Sequence, residues 1–135
     1  MEKTLALVKP DAYSAGHLEE IKKRIEADGF KIVQEKEVKG TKSQMEEFYQ
    51  EHKGRPFFEG LTTWMSSSPF YAMILEKKEA IKSWRTLMGP TNSEKAREEA
   101  PNSIRAVFGT DGSKNATHGS DSLESATREI SIIFG

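Results

Sequence analysis

The sequence contains no cysteine. This absence excludes disulfide bonds, thiol nucleophiles and thiolate metal sites, and it agrees with a reducing compartment. Long hydrophobic runs are absent as well, since the longest apolar stretch covers only residues 70–75. A membrane span needs about 20 apolar residues, and the charged residues Glu2 and Lys3 at the start do not match a signal peptide. We therefore expect a cytoplasmic protein that crosses no membrane.

Neither positively nor negatively charged residues are in clear excess. The 20 Lys and Arg residues are balanced by 21 Asp and Glu residues, which gives a net charge of −1. A chain without an overall basic field does not attract a nucleic-acid backbone or an anionic membrane, so any anion site must be local. Hydrophobic residues make up 36% of the 135 residues. This amount suits a single domain over residues 1–135 with one core and is too little for two domains.

Hydrophobic spacing predicts the order of secondary structure along most of the chain. Short apolar runs predict strands at residues 5–8, 30–39 and 70–75. Apolar residues three and four positions apart predict amphipathic helices from residue 17 to the stop at Gly29, at 42–53, at 57–66 and at 78–87. The helices at 42–53 and 57–66 follow each other without an intervening strand, so they form a helical pair.

The segment from residue 89 to residue 121 has little periodicity. It contains two prolines and four glycines, and it predicts one short helix at 93–100 and a single turn near Ile104. Loops of this length are uncommon in compact domains and usually have a function. We therefore interpret this long loop as functional.

The last elements complete the predicted fold. Asp121 and Glu124 match the N-cap and capping box of a helix, and the alternation of Ile130, Ile132 and Phe134 predicts a final strand. The order of elements fits an α+β fold: a ferredoxin-like β-α-β-β-α-β sandwich with a four-stranded antiparallel sheet, an inserted helical pair and a long loop. A doubly wound parallel sheet is the alternative, and it is disfavoured because no Gly-rich turn follows the first strand.

Motifs of common nucleotide and metal sites are missing. The sequence has neither G-x-x-x-x-G-K-[ST] nor G-x-G-x-x-G. Its histidines, His17, His52 and His118, do not stand at metal-ligand spacing, so we expect no protein-bound metal. A nucleotide enzyme with this sequence must therefore hold phosphate groups by other means.

His118 has the most informative surroundings of the three histidines. It lies in the string NATHGSDS at residues 115–122, beside a glycine that allows the backbone to approach a ligand closely. The N-terminus of the helix predicted to follow favours negative charge. A solvated loop imidazole is the alternative interpretation.

Five strings, in order along the chain, point to a family. They are LVKPDA at 7–12, EHKGRPFF at 51–58, MGPTN at 88–92, SIR at 103–105 and NATHGSDS at 115–122. With these strings the chain resembles nucleoside diphosphate kinases from end to end. The resemblance implies a ferredoxin-like fold and a ping-pong enzyme that transfers the γ-phosphoryl group of a nucleoside triphosphate to a nucleoside diphosphate. It also implies a Mg²⁺ cofactor that is held through the nucleotide phosphates.

The resemblance assigns the central chemistry to His118 and its neighbours. His118 is expected to become phosphohistidine, since imidazole is partly neutral near pH 7 and can attack the γ-phosphorus in line. Glu129 is expected to accept the other ring N–H of His118 and to fix its tautomer, although by sequence alone it is an ordinary glutamate at a helix end. Tyr49 and His52 match positions near the phosphates and the nucleophile, where a core or interface tyrosine is the alternative.

Lys9, Arg85, Thr91 and Arg105 match the phosphate-binding positions of the family. Phosphoryl transfer needs positive groups aimed at phosphate oxygens, and Lys9 is also catalytic by resemblance. A cation directly after an apolar strand is costly unless the strand end opens into a site. The alternatives are a solvated helix position for Arg85, a plain turn for Thr91 and an ion pair with residues 98–99 for Arg105.

Phe57 and Asn115 match the contacts to the base and the sugar. The Phe57 ring is expected to be exposed and to stack on any base, whereas Phe58 points into the core; two core phenylalanines are the alternative. Asn115, with Lys9, matches contacts to the sugar 3′-hydroxyl. Both ribo- and deoxyribonucleotides are therefore expected as substrates.

The resemblance also implies a homo-oligomer. The family builds tetramers or hexamers from a shared dimer, so we expect at least a dimer here. The sequence ends at Gly135, so we expect the C-terminal extension that many relatives use in subunit contacts to be missing, which leaves the choice between tetramer and hexamer open. Ser93 stands where proline is frequent in the family, and Ser68 stands where glycine commonly precedes the proline.

Two other function classes remain as alternatives. An RNA-recognition or regulatory module of ferredoxin-like fold is disfavoured, because no strand carries an aromatic-rich RNP1 string and the chain is not basic. A nucleotide sensor that has kept the cleft without the chemistry is disfavoured because His118, Lys9 and Asn115 are all present. We therefore expect nucleoside tri- and diphosphates as partners, with no requirement for nucleic acid or a membrane.

Overall fold

The computed structural model describes residues 2–111 and 114–135. Four strands and eight α-helices are found in these ranges, in the order β1 (Glu2–Val8), α1 (Pro10–Ser14), α2 (Leu18–Ala27), β2 (Lys31–Val38), α3 (Lys42–Phe48), α4 (Phe58–Ser67), β3 (Phe70–Lys77), α5 (Ala80–Met88), α6 (Ser93–Glu99), α7 (Ile104–Phe108), β4 (Thr117–Gly119) and α8 (Leu123–Phe134). A short 3₁₀-helix, Gln50–His52, lies between α3 and α4. Within the described ranges, no helix combines the length and the apolar character that a bilayer span requires.

All four strands form one antiparallel sheet in the order β2-β3-β1-β4. The central pair, β1 and β3, runs from Glu2 opposite Lys77 to Val8 opposite Tyr71. β2 and β4 are the two edges of the sheet. This order and these directions are those of the ferredoxin-like β-α-β-β-α-β sandwich, so the predicted fold is confirmed.

Side chains of the central strands alternate between two hydrophobic cores. On β1, Leu5 and Leu7 face the core built with α3, α4 and α8, whereas Ala6 and Val8 face the core built with α2 and α5. All four side chains are completely buried. The continuous apolar sequence of β1 is thus explained by burial on both faces of the sheet.

The fourth strand does not lie where the sequence analysis placed it. Residues 130–134 belong to α8, and the fourth strand is the three-residue segment Thr117–Gly119. The predicted final strand was therefore wrong. Ala126, Glu129 and Ile133, three and four positions apart, form the buried face of α8, and the local alternation of isoleucines concealed this helical spacing.

The helix that follows β4 also begins differently from the prediction. Its N-cap is Ser122, whose hydroxyl accepts a hydrogen bond from the backbone N–H of Ser125 at 3.1 Å. The N-cap predicted at Asp121 was therefore wrong by one residue. A serine N-cap satisfies the same free N–H groups as an aspartate.

The long loop predicted at 89–121 contains more structure than expected. The predicted helix at 93–100 is found as α6, but a complete short helix, α7, replaces the single turn near Ile104. Near the start of the chain, α1 was missed because Pro10 was interpreted as a stop, whereas proline at the first turn of a helix is well tolerated. The helix predicted at 42–53 ends at Phe48.

Candidate active site

β4 places His118 at an edge of the sheet, beside the central strand β1. His118 lies opposite Leu7, so the imidazole projects from the same face as the Leu7 side chain, toward α3 and α8. The carbonyl oxygen of His118 accepts a hydrogen bond from Trp84 Nε1 at 3.2 Å. A Cβ atom at Gly119 would lie 2.5 Å from Trp84 Cδ1. Glycine is therefore required for β4 to pack this closely against α5.

Glu129 of α8 binds one nitrogen of the His118 ring. The distance between His118 Nε2 and Glu129 Oε1 is 2.9 Å, and Ser120 Oγ donates to the same carboxylate oxygen at 2.8 Å. Glu129 and Ser120 are each 1% exposed. A carboxylate accepts but does not donate, so this contact assigns the ring proton to Nε2 and leaves the lone pair on Nδ1.

Two aromatic side chains at the end of α3 enclose the imidazole. The ring centroids of Phe48 and Tyr49 lie 5.1 and 5.9 Å from that of His118, both in edge-on geometry. Burial, followed by the charge of Glu129, raises the pKa of the Tyr49 phenol. The phenol is therefore neutral, and its hydroxyl has no hydrogen-bond partner among the described residues. Of the two rings, only that of Tyr49 carries a polar group.

Lys9 directly follows β1 and reaches the loop before β4. Its ammonium group donates to Asn115 Oδ1 at 2.9 Å, and Asn115 Nδ2 donates to the carbonyl oxygen of Thr91 at 2.8 Å. Burial lowers the pKa of Lys9 to about 8, and the charge of Arg105 acts in the same direction. Lys9 is thus a largely desolvated cation that remains mostly protonated at neutral pH.

Arg105 on α7 and Arg85 on α5 add further positive charge. Arg105 donates to the carbonyl oxygen of Gly89 at 2.9 Å and to that of Thr117 at 3.1 Å. Its guanidinium therefore bonds to the backbone instead of forming the ion pair with residues 98–99 that was the alternative. Burial, followed by the charge of Arg85, lowers the pKa of Arg105 to about 10, so Arg105 remains protonated at neutral pH.

The site residues line one cleft with a volume of about 660 Å³. All ten residues singled out in the sequence are among its lining: Lys9, Tyr49, His52, Phe57, Arg85, Thr91, Arg105, Asn115, His118 and Glu129. Phe57 at the rim is 45% exposed, whereas Phe58 is 8% exposed and lies in the core. The His52 ring lies 5.2 Å from that of Phe57. The cleft therefore has an open aromatic rim and a cationic floor that contains one oriented imidazole.

Known proteins are similar to this chain over almost its whole length. The family model described as nucleoside diphosphate kinase matches residues 2–135. A nucleoside diphosphate kinase of Aquifex aeolicus is 52% identical over 134 residues, which cover 99% of this chain and 94% of that protein. The chain belongs to the nucleoside diphosphate kinase family. Phosphoryl transfer between nucleotides is the activity of this family, and the chain is accordingly a phosphotransferase.

Solved structures of nucleoside diphosphate kinases have the same fold. The crystal structure of the Aquifex aeolicus protein superposes with a TM-score of 0.97 at 51% identity, covering 99% of this chain and 95% of that chain. The enzyme from Encephalitozoon cuniculi superposes with a TM-score of 0.93 at 32% identity, covering 98% of this chain and 88% of that chain. The fold is thus preserved among nucleoside diphosphate kinases even where two thirds of the residues differ.

Several cleft residues were not singled out from the sequence. Ser120 Oγ donates a hydrogen bond to the Glu129 carboxylate. The cleft is also lined by Glu51, Arg55, Leu61, Met88, Gly119 and Asp121. Most of them stand inside the strings that define the nucleoside diphosphate kinase resemblance, which was the available signal. Ser120 was missed because it follows β4, a strand that the sequence analysis did not predict, and because its partner Glu129 was placed at a helix end directly before a predicted strand.

The carboxylates of the cleft are dispersed. Within residues 2–111 and 114–135, no group of three or more His, Asp or Glu side chains is arranged to hold a metal ion. Glu129 is occupied by His118 and Ser120, which leaves Asp121 and Glu51 as acidic groups at the cleft. A hydrogen bond from Ser125 lowers the pKa of Asp121, so this carboxylate is charged at neutral pH.

Proposed function

We propose that His118 is the nucleophile of a ping-pong nucleoside diphosphate kinase reaction. Its orientation by Glu129 is the observation that carries the proposal, since Nε2 holds the proton and Nδ1 is the nitrogen with a lone pair. Nδ1 attacks the γ-phosphorus of a nucleoside triphosphate, the N–P bond forms, and the bond from phosphorus to the bridging oxygen breaks. The nucleoside diphosphate leaves with that electron pair. A second nucleoside diphosphate then attacks the phosphohistidine by the reverse route.

The Glu129 carboxylate has a second role in this mechanism. Attack through Nδ1 leaves the imidazole ring with both nitrogens substituted and a positive charge. A buried carboxylate at 2.9 Å from Nε2 stabilises that charge. Glu129 accepts a hydrogen bond from the Nε2–H group both before and after phosphorylation. No proton therefore has to leave the site during the transfer.

Lys9, Arg85 and Arg105 are proposed to bind the phosphate chain, with Thr91 as a hydroxyl donor. The three cations and Thr91 line the same cleft as His118. Charge moves from the γ-phosphoryl group to the bridging oxygen during transfer, and fixed cations stabilise that oxygen without reorganisation. The buried ammonium of Lys9 is the most desolvated of these charges, which strengthens its interaction with phosphate. We therefore assign Lys9 a catalytic role. Tyr49 and His52 are proposed as neighbouring contacts to the phosphates.

Phe57 is proposed to stack on the base, and Asn115 with Lys9 is proposed to bind the 3′-hydroxyl. An exposed ring at the cleft rim offers a flat surface to any base. Because stacking does not distinguish the hydrogen-bonding edges of bases, we expect little selectivity among nucleotides. Binding through the 3′-hydroxyl leaves the 2′ position unread, which allows both ribo- and deoxyribonucleotides.

Mg²⁺ is proposed to enter as part of the nucleotide substrate. Mg²⁺ keeps several waters and is commonly bound by phosphates with one or two carboxylates, and the dispersed acidic groups of the cleft suit that mode better than a dedicated protein site. Asp121, which lines the cleft and is charged at neutral pH, would add an oxygen ligand to the phosphates that hold the ion. When bound, the ion neutralises negative charge on the β- and γ-phosphates.

A homo-oligomer in the cytoplasm is proposed as the working form. The edge strand β2 is long and mostly exposed. Pairing of such edge strands between two copies is a common way to form a dimer. A dimer is therefore the minimum assembly proposed, as the base of a tetramer or hexamer. The lack of cysteine agrees with a reducing compartment.

Covalent labelling tests the central proposal. Purified protein incubated with Mg²⁺ and a γ-labelled nucleoside triphosphate is expected to retain acid-labile, alkali-stable label, and addition of a nucleoside diphosphate is expected to remove it. His118→Ala should abolish labelling. His17→Ala is the matched control, because His17 lies outside the cleft lining and its replacement should leave the label in place. Label that persists in His118→Ala, or that is stable to acid, would contradict the assignment.

A further inference from the structure

The backbone two residues before His118 adopts a strained turn. Ala116 has a φ of 73°, in the left-handed region that disfavours any residue with a Cβ. The N–H of Thr117 donates to the carbonyl oxygen of Asn115 at 2.9 Å. Three residues closed by such a bond, with positive φ at the centre, form a γ-turn of the rare, strained kind. This conformation persists only where surrounding contacts hold it.

Both polar groups of the Ala116 backbone are held by the chain segment that follows β1. The N–H of Ala116 donates to Asp11 Oδ2 at 3.0 Å, and its carbonyl oxygen accepts from the N–H of Lys9 at 2.8 Å. The Lys9 contact is made by the backbone, so it is independent of side-chain identity. Of these two contacts to the Ala116 backbone, only the Asp11 contact depends on a particular side chain.

The turn connects two groups of the proposed reaction. Asn115 on one side bonds to the Lys9 ammonium, and His118 on the other side is paired to β1 by a strand of only three residues. A rotation of the peptide at Ala116 would therefore move the amide of Asn115 and the imidazole of His118 relative to each other. Displacements of this kind are costly, because in-line transfer requires the reacting atoms to be held near contact distance.

We propose that Asp11 is a positioning residue for phosphoryl transfer: its carboxylate holds the strained Ala116 turn and so fixes His118 relative to Asn115. The proposal rests on the phosphotransfer proposed for His118. Asp11 is not among the residues that line the cleft, so it acts through the backbone.

The competing explanation is that Asp11 acts through its charge on Lys9. Burial raises the pKa of Asp11, and the charge of Lys9 opposes that rise, so the two groups interact electrostatically. Two substitutions of Asp11 distinguish these explanations. The substitution Asp11→Asn keeps an oxygen acceptor of the same shape and removes the charge, whereas Asp11→Glu keeps the charge and displaces the acceptor by one methylene group.

A series of variants tests the proposal by the single-turnover rate of His118 phosphorylation, with the dissociation constant of a nucleoside diphosphate measured in parallel. Asp11→Asn should phosphorylate within about twofold of the wild-type rate. Asp11→Ala and Asp11→Glu should each be slowed about tenfold or more, with dissociation constants within about twofold, because the nucleophile is misplaced while the cations stay in position. If Asp11→Ala does not fold, Asp11→Glu takes its place in the comparison.

A second test relieves the backbone strain at Ala116. Glycine adopts positive φ without penalty, so Ala116→Gly should keep most of the wild-type rate, and Asp11→Ala/Ala116→Gly should recover most of the rate that Asp11→Ala loses. Equal losses in Asp11→Asn and Asp11→Ala, or a double variant as slow as Asp11→Ala, would overturn the proposal. Absence of label in the wild-type protein would instead contradict the proposed function itself, so the two failures are distinct.

Discussion

The two edges of the sheet are built in different ways. β2 pairs with β3 along its whole length, with one irregularity between Ile32 and Gln34. β4 pairs with β1 through three residues only. On β4 the carbonyl oxygens of Thr117 and His118 accept hydrogen bonds from the side chains of Arg105 and Trp84. The long edge is therefore held by its own backbone ladder, and the short edge by side chains from other elements.

This difference explains how a short strand can hold His118, the proposed nucleophile, in a fixed position. A three-residue strand has little pairing energy of its own, and a sheet edge normally leaves a row of backbone groups unpaired. Here α5 and α7 supply side-chain donors to two carbonyl oxygens of β4, and α8 supplies the carboxylate that binds the imidazole. The position of His118 therefore depends on a few distant side chains, and changes at β4 should affect catalysis far more than changes at β2.

Removal of the Glu129 charge is expected to have the largest effect among the supports of β4. Glu129→Gln keeps the size of the side chain but cannot stabilise the positive ring that forms on phosphorylation. We expect the phosphorylation rate of His118 to fall by about 10- to 100-fold, the range typical when the partner that orients a metal-binding histidine is replaced. Glu124→Gln is the matched control on the exposed face of the same helix and should leave the rate unchanged. Similar rates in the two variants would contradict the role of Glu129.

The pH dependence of the reaction is expected to follow the titration of Lys9, which directly follows β1 and bonds to the loop before β4. Its pKa is lowered to about 8, mainly by burial, so kcat/KM should fall as the pH rises through about 8 and the ammonium loses its charge. Stability should change in the opposite direction. Between pH 8 and 10.5 the unfolded chain holds the proton that the folded chain has lost, so the free energy of unfolding should rise with pH.

Lys9→Met separates this contribution from other titrating groups. The variant should lose most activity at every pH, and its free energy of unfolding should lack the rise between pH 8 and 10.5 that the wild type shows. Chemical denaturation of both proteins across this pH range measures the difference. A wild-type kcat/KM that stays level up to pH 10 would show that the Lys9 charge is not needed for phosphate binding.

The same contrast between the edges explains what the sequence predicted. β2 and the central strands were found because each contains or directly follows apolar residues that stand close together in the sequence. β4 was missed because three residues carry no periodicity, and His118 was recognised from its string rather than from its strand. The last turns of α8 were interpreted as a strand, so nothing in the pattern indicated that Glu129 lies on a buried helix face beside Ala126 and Ile133.

Contacts between distant residues were beyond sequence patterns altogether. The support of the His118 carbonyl by Trp84 joins residues 34 positions apart, and the bond from the Ala116 N–H to Asp11 joins residues 105 positions apart. Resemblance to a family identified which residues meet in the cleft. It did not indicate the backbone contacts that hold them, since those follow from the packing of α5 against β4 and from the contact of α1 with Ala116, directly before β4.

Trp84→Phe is expected to have an intermediate effect on the β4 edge. The change removes the donor to the His118 carbonyl and leaves a buried ring. We expect the phosphorylation rate to fall about tenfold, since a small displacement of the nucleophile is sufficient, and the free energy of unfolding to fall by about 1–3 kcal/mol from lost packing. Phe70→Leu, a fully buried change in the opposite core, is the control for instability. If it slows the reaction equally, the effect of Trp84 is general destabilisation.

The smallest effect is expected from the β2 edge. Val33 lies at the irregularity between Ile32 and Gln34 and is 41% exposed, so Val33→Thr removes little buried surface and breaks no ladder hydrogen bond. We expect the free energy of unfolding to change by no more than about 0.5 kcal/mol, and the phosphorylation rate of His118 to stay at the wild-type value. Denaturant titration and single-turnover labelling measure the two quantities on the same preparation. A slowed reaction without a loss of stability would show that the β2 edge communicates with the cleft, and the contrast between the two edges would then no longer hold.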